Sequence, residues 1–143
     1  MFRVTRRYSF AASHRLHSLQ LSEDENRRLY GKCNNPFGHG HNYVVEVSAQ
    51  GPLDAHGRAV DLAALDELVR REVLLPFDHR DLNTEAPAFQ NQVPTSENLA
   101  REICRRLKSN WAAAFGAPWP QLLKVRIEET ARNIFEIRAD EIE

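Results

Sequence analysis

An α+β domain, with an antiparallel sheet carrying two helices on one face, is the fold class this sequence predicts, and three patterns predict it. Both ends of the chain alternate apolar and polar residues as strands do. The middle holds two stretches with apolar residues at three- and four-residue steps, as helices do. Clusters of Gly, Pro and Asp punctuate the two kinds of segment. At 143 residues, 42% of them apolar and 27% charged, the chain suits a single domain over 1–143 with a real core.

The first strand runs from Phe2 to Ser13, with Phe2, Val4, Tyr8, Phe10 and Ala12 on one side and Arg3, Thr5, Arg7 and Ser9 on the other. Its period puts His14 on the face of Phe10 and Ala12. Ser22 and Glu25 form a capping-box pair, so a short helix is expected to about Tyr30, ended by Gly31. A second strand spans His39 to Gln50, turns at Gly51 to Gly57, and returns as a third strand over Arg58-Ala59-Val60. Asp61 is placed to cap a helix carrying Leu62, Leu65, Leu68, Val69 and Val73, which Pro76 should stop. Another helix begins at Pro94-Thr95-Ser96, carries Leu99, Ile103, Leu107 and Trp111, and ends at Gly116. Leu123, Val125, Ile127 and Glu129 then share one side of a strand, and Asn133 to Arg138 return beside it. An open sheet of about four strands leaves long edges that invite pairing with other chains, and closure by oligomerisation is the natural remedy.

The net charge of −1 gives no general attraction to nucleic acid or to an anionic membrane. No apolar run reaches the roughly 18 residues of a membrane span, and Met1-Phe2-Arg3-Val4 lacks the apolar stretch of a secretion signal, so a cytoplasmic protein is expected. Cys33 and Cys104 make a poor disulfide framework; Cys104 reads as a small buried hydrophobe.

The chemistry concentrates around His39-Gly40-His41. Residues two apart on a strand point the same way, so two imidazoles can grip one metal ion, and His14 ends a separate strand on a core face. Three neutral imidazoles with an open fourth position describe a catalytic zinc site. Two plainer readings stay open, ordinary strand histidines and a closed structural site with Cys33 as fourth ligand. Cys33, beside Lys32 in a Gly- and Pro-containing loop, has the setting of a nucleophile or base. Asp78-His79 is a potential proton-carrying pair or a surface pair. Glu129 falls on the apolar phase of its strand and Glu128 on the polar one. A carboxylate so placed needs a partner, and the N–H edge of a guanidine-like heterocycle is one. Thr95-Ser96-Glu97 also reads as an ordinary helix start. His17 and His56 read as surface residues.

These residues resemble the 6-pyruvoyl-tetrahydropterin synthase family. The resemblance runs through Ser9 to Leu16, Gly31 to Tyr43, Asp78-His79 with Leu82, Thr95 to Asn98, and Glu129-Thr130. It implies the tunnelling fold, a β-β-α-α-β-β unit whose strands close into a barrel in a homohexamer built from two trimers. It further implies zinc on His14, His39 and His41, and Cys33 as the proton-abstracting base. Asp78 and His79 would complete the relay from a neighbouring subunit, and Glu129 would anchor the pterin with Thr95, Ser96 and Glu97 nearby. The implied substrate is 7,8-dihydroneopterin triphosphate, which loses triphosphate to give 6-pyruvoyl-tetrahydropterin, with magnesium commonly required. Arg15 and Lys32 are candidate cations for the triphosphate. The related 6-carboxy-tetrahydropterin synthases of the queuosine pathway typically carry three residues between the cysteine and His-x-His. This chain has five, Asn34 to Gly38, as in the pyruvoyl-forming branch. A non-catalytic pterin-binding or zinc-stabilised protein is the alternative from another class, and it would need neither Cys33 nor the Asp78-His79 pair.

Overall fold

The alternating first segment forms β1 (Phe2–His14), which pairs antiparallel along its whole length with β2 (His39–Gly51). The computed structural model describes all of residues 1–143. Between these strands lie α1 (Glu23–Tyr30) and a tight turn over Gly31–Asn34. After β2 come α2 (Leu62–Val69), the short helix α3 (Leu75–Phe77), the two-residue strand β3 (Arg80–Asp81), α4 (Leu82–Glu85), the long α5 (Ser96–Phe115), β4 (Gln121–Glu128) and β5 (Ile134–Arg138). The five-stranded sheet has the order β3-β1-β2-β4-β5 and is open within the chain.

The two faces of this sheet differ as the alternation requires. Phe10, Ala12, Tyr43, Val45, Val47, Val125 and Ile127 are buried in one core with Leu65, Leu68 and Val69 of α2 and Leu99, Ile103 and Leu107 of α5. On the opposite face Arg7, Glu46 and Arg126 stand in register across three strands, with Glu46 bridging the two guanidinium groups at 3.1 and 3.2 Å. Cys104 is fully buried among the core residues, and burial pushes its thiol up to about 11.

The helix starts follow their caps. Ser22 and Glu25 form the expected reciprocal capping box, the Asp61 side chain accepts from the Ala64 amide at 3.2 Å, and Thr95 accepts from the Asn98 amide at 3.1 Å. Each such cap contributes about 1 kcal/mol. Gly31 ends α1 in a left-handed turn, φ 55°, whose amide donates back to Arg27.

Three expectations require correction. Arg58-Ala59-Val60 is not a strand, because Asp54 holds the segment in its own turn. The Asp54 carboxylate accepts from the amides of His56 and Arg58, and the Asp54 amide donates to the Arg58 carbonyl at 2.7 Å. Pro76 does not stop the first long helix. The helix widens into a π turn over Arg70–Leu74 and passes through Pro76 into α3. A proline has no N–H for the carbonyl four residues back and its ring crowds that carbonyl; the wider turn relieves the clash, and the Glu72 carbonyl accepts from Arg106 Nε at 2.8 Å instead. The sheet also has a parallel element, since β3 pairs with Ala12 and Ser13 of β1. Two residues are too short for any periodicity to register.

Candidate metal and active site

Register assembles the histidine cluster. His14 lies directly opposite His39 in the β1–β2 ladder, and Ala12 lies opposite His41, so the two-residue period brings all three imidazoles to the core face at one end of the strands. His14 Nε2 and His41 Nε2 are 3.1 Å apart, and Cys33 Sγ is 2.9 Å from His39 Nε2. One ligand atom from each of His14, Cys33, His39 and His41 falls within 4.8 Å of every other.

The loop that delivers Cys33 is fixed by backbone contacts. Leu16 donates to the Cys33 carbonyl at 2.6 Å, and the buried Asn34 side chain donates to the Leu16 carbonyl at 2.8 Å. Gly38, at φ 66°, passes so close to β1 that a Cβ there would sit 2.6 Å from the His14 carbonyl oxygen. No other residue fits that approach without moving the loop.

His14 is 1% exposed, and burial with the nearby His41 brings its pKa down to about 4. Its Nδ1 lies 2.9 Å from the Pro94 carbonyl, which can only accept, so Nδ1 carries the proton and Nε2 offers its lone pair to the cluster. The buried Tyr43 hydroxyl stands 3.3 Å from the same Nδ1. Burial also lowers the pKa of His41 and raises that of the Cys33 thiol, the latter with help from the charge of Glu129. His14 and His41 are thus both biased toward the neutral, lone-pair-donating form, with His39 and a sulfur alongside. This donor set fits zinc: about 2.0–2.3 Å bond lengths and tetrahedral angles put ligand atoms about 3.3–3.8 Å apart, a spread that small side-chain adjustments reach from the separations seen.

Glu129 lies one residue past the end of β4, where its amide donates to the Asn133 carbonyl at 3.0 Å in a tight turn. The alternation nevertheless persists. The Glu129 side chain is 13% exposed and stands 3.4 Å from His41 Nε2, while Ser96 donates its hydroxyl to the other carboxylate oxygen. Of Thr95, Ser96 and Glu97, the structure brings only Ser96 to the cluster. Thr95 is engaged as the α5 cap, and Glu97 is exposed in the first turn of that helix.

Asp78 and His79 lie elsewhere. They precede β3 at the sheet edge, where the Asp78 carboxylate accepts from the Ala11 amide at 3.0 Å and the His79 amide donates to the Ala11 carbonyl at 2.6 Å. His79 sits in the left-handed region, φ 58°, with its imidazole 82% exposed and Nδ1 2.9 Å from the Asp78 carboxylate. Within the chain the pair does not reach Cys33. His17, expected on the surface, is instead half-buried with Nδ1 3.0 Å from the Asn34 amide nitrogen, because the chain bends after His14 rather than continuing as a strand. Sequence reasoning gave no role to Pro94, Tyr43 or Asn34. The apolar phase of Tyr43 on β2 was a usable signal; a backbone carbonyl such as that of Pro94 leaves none.

A family model described as 6-pyruvoyl tetrahydropterin synthase matches residues 3–140. The chain belongs to that family. Relatives within the 6-pyruvoyl tetrahydropterin synthase family include the 6-pyruvoyl tetrahydrobiopterin synthase of Poecilia reticulata, 44% identical over 138 residues that cover 96% of this chain and 90% of the relative. The solved structure of the Caenorhabditis elegans 6-pyruvoyl tetrahydropterin synthase matches with a TM-score of 0.85 at 43% identity, over 96% of this chain and 94% of that one. A more distant relative, the putative 6-carboxy-5,6,7,8-tetrahydropterin synthase of Archaeoglobus fulgidus, is 36% identical over 100 residues, 70% of this chain and 75% of its own.

Proposed function

We propose that this protein is a 6-pyruvoyl-tetrahydropterin synthase, a carbon–oxygen lyase that converts 7,8-dihydroneopterin triphosphate to 6-pyruvoyl-tetrahydropterin with loss of triphosphate. The observation that carries this reading is a histidine cluster flanked by a thiol on one side and a largely buried carboxylate on the other, in a chain whose near relatives bear that name.

Each side chain then has a task. Glu129, oriented by Ser96, accepts hydrogen bonds from the N–H edge of the pterin and fixes the ring. Cys33 removes carbon-bound protons from the side chain, at a distance set by that anchor. His14, His39 and His41 hold zinc, which when bound supplies Lewis acidity for the substrate hydroxyls and for the negative charge that develops on proton removal. Pro94 keeps His14 in the tautomer that serves this purpose. Asp78 and His79 complete the proton relay for Cys33 of a neighbouring subunit. That assignment calls for the tunnelling fold to close through its sheet edges in a homohexamer, which we place in the cytoplasm. Magnesium, a hard cation, would supply charge to the phosphate end of the substrate.

The test is an anaerobic incubation of zinc-loaded protein with 7,8-dihydroneopterin triphosphate and magnesium, with the pterin product identified by mass spectrometry. A three-carbon pyruvoyl side chain and released triphosphate are expected. A 6-carboxy pterin with acetaldehyde release would move the protein to the branch of its Archaeoglobus fulgidus relative, a result that the five residues between Cys33 and His39 argue against.

A further inference from the structure

β1 ends at His14, and its ladder with β3 ends one residue earlier, where Asp81 pairs with Ser13. Arg15 and Leu16 therefore lie outside the sheet. They nevertheless carry the Cys33 turn. The Leu16 amide donates to the Cys33 carbonyl at 2.6 Å, the Asn34 side chain donates to the Leu16 carbonyl at 2.8 Å, and the Arg15 guanidinium donates to the Asn34 carbonyl at 3.3 Å. Cys33 and Asn34 thus hang on a two-residue shelf, and a shelf outside the sheet holds them only as firmly as it is itself held.

Asn83 holds it. Its side-chain oxygen accepts from the Arg15 amide at 2.7 Å, and its side-chain nitrogen donates to the Arg15 carbonyl at 2.9 Å. The orientation is fixed, because an N–H can only donate and a carbonyl can only accept. A primary amide presents an acceptor and a donor side by side, as a peptide group does. Asn83, two residues past Asp81, continues for Arg15, two residues past Ser13, the ladder that the backbones of β3 and β1 leave off. Asn83 is placed in turn by the α4 cap, where its own amide donates to the Asp81 side chain at 3.2 Å, and by the fully buried Leu82 before it. The peptide joining His14 to Arg15 is consequently gripped at both edges. Asn83 takes its N–H, and Gly38 packs against its carbonyl at an approach that leaves no room for a Cβ.

We propose that Asn83 is a positioning residue for Cys33, a clamp on the Arg15–Leu16 shelf that sets where the thiol stands relative to the histidines and to a ligand anchored at Glu129. It acts through the main chain and touches no reacting atom. The assignment rests on the reading of Cys33 as the base and deepens it. His14 is held separately, by its place opposite His39 in the ladder and by the Pro94 carbonyl, so the clamp governs the thiol rather than the nitrogen cluster. One short segment, 78–83, then serves two ends: it pins Asp78 and His79 to Ala11 at its start and Asn83 to Arg15 at its finish.

The experiment compares the zinc-loaded wild-type protein with Asn83→Ala, Asn83→Asp and Thr84→Ala, the last an exposed neighbour on the same helix. Asp keeps the size and the acceptor and lacks the donor, so it reports on the clamp even where the Ala variant fails to fold. In both Asn83 variants kcat for 7,8-dihydroneopterin triphosphate should fall about 10–10²-fold, with KM within about twofold because Glu129 is untouched and zinc content unchanged by elemental analysis. Labelling of the half-buried Cys33 by iodoacetamide, followed by peptide mass, should quicken about tenfold as the turn loosens, with the fully buried Cys104 as internal reference. Thr84→Ala should match the wild type in every reading. An unchanged kcat in the Asn83 variants, or kcat and zinc lost together, overturns the assignment. A wild-type protein that binds the triphosphate without turning it over overturns the reading of Cys33 as base instead. Labelling rates then decide the clamp by themselves: faster in the Asn83 variants sustains it, and equal to the wild type overturns it.

Discussion

The histidine end of β1 and β2 and the Asp78-His79 corner flank the same strand end, yet one is buried within the chain and the other is exposed. At the first, the His14 and His41 side chains are almost entirely buried, the Nε2 atoms of His14 and His41 face one another, and one carbonyl sets the tautomer of His14. At the second, a histidine in a left-handed conformation projects into solvent from a sheet edge, its main chain pinned to Ala11 and its imidazole meeting only the preceding aspartate. A cluster of converging nitrogen and sulfur atoms is organised to hold an ion within the chain. An exposed pair on a conformationally costly turn is open to solvent and to a group outside the chain.

The sharpest test of the first half of this contrast is His14→Ala. It should abolish metal binding and with it turnover, read by elemental analysis of the purified variant beside the activity assay. Cys33→Ala should lower turnover by about 10²–10⁴-fold while retaining metal. Loss of zinc from that variant would make Cys33 a structural ligand and the site a closed one. His79→Ala probes the other half, with an expected loss of about 10²-fold. Mixing it with Cys33→Ala subunits under exchanging conditions should restore activity above the sum of the two, because some sites then combine an intact Cys33 from one chain with an intact His79 from the next. No recovery would mean that the corner serves no neighbour. Glu129→Gln should weaken dihydroneopterin binding about tenfold, and Glu128→Gln, on the polar phase of β4, should leave it unchanged.

The smallest effect concerns the metal-stripped protein. The His14 pKa is about 4 in the fold against an ordinary 6.5, so between these values the unfolded chain binds more protons than the folded one. Stability should therefore be fully present above about pH 6.5 and fall as the pH drops toward 4, by several degrees in the thermal midpoint. Zinc should shift that loss to lower pH, since bound imidazole resists protonation.

The contrast also explains what was legible beforehand. Alternation and capping are local, so β1, β2, α1, α5 and the buried phase of Glu129 could be read from residue order alone. The turn at Asp54 and the helix passing through Pro76 could not. The first depends on one carboxylate capturing two amides, and the second on Arg106, distant in sequence, taking up the carbonyl that the proline leaves without a donor. The half-burial of His17 was hidden for a similar reason: it depends on the bend of the chain after β1 ends at His14 and on contact with Asn34.

By itself the sequence determined the identities and faces of His14, His39, His41, Cys33 and Glu129, because side-chain direction along a strand is a two-residue period that needs no tertiary information. Only the tertiary structure decided that His14 stands opposite His39, that Pro94 sets its tautomer, that Ser96 rather than Thr95 or Glu97 meets Glu129, and that Asp78 and His79 pair with each other at a sheet edge. Register, carbonyl direction and the course of a loop depend on contacts between residues far apart in the chain, and those contacts exist only once the sheet has formed.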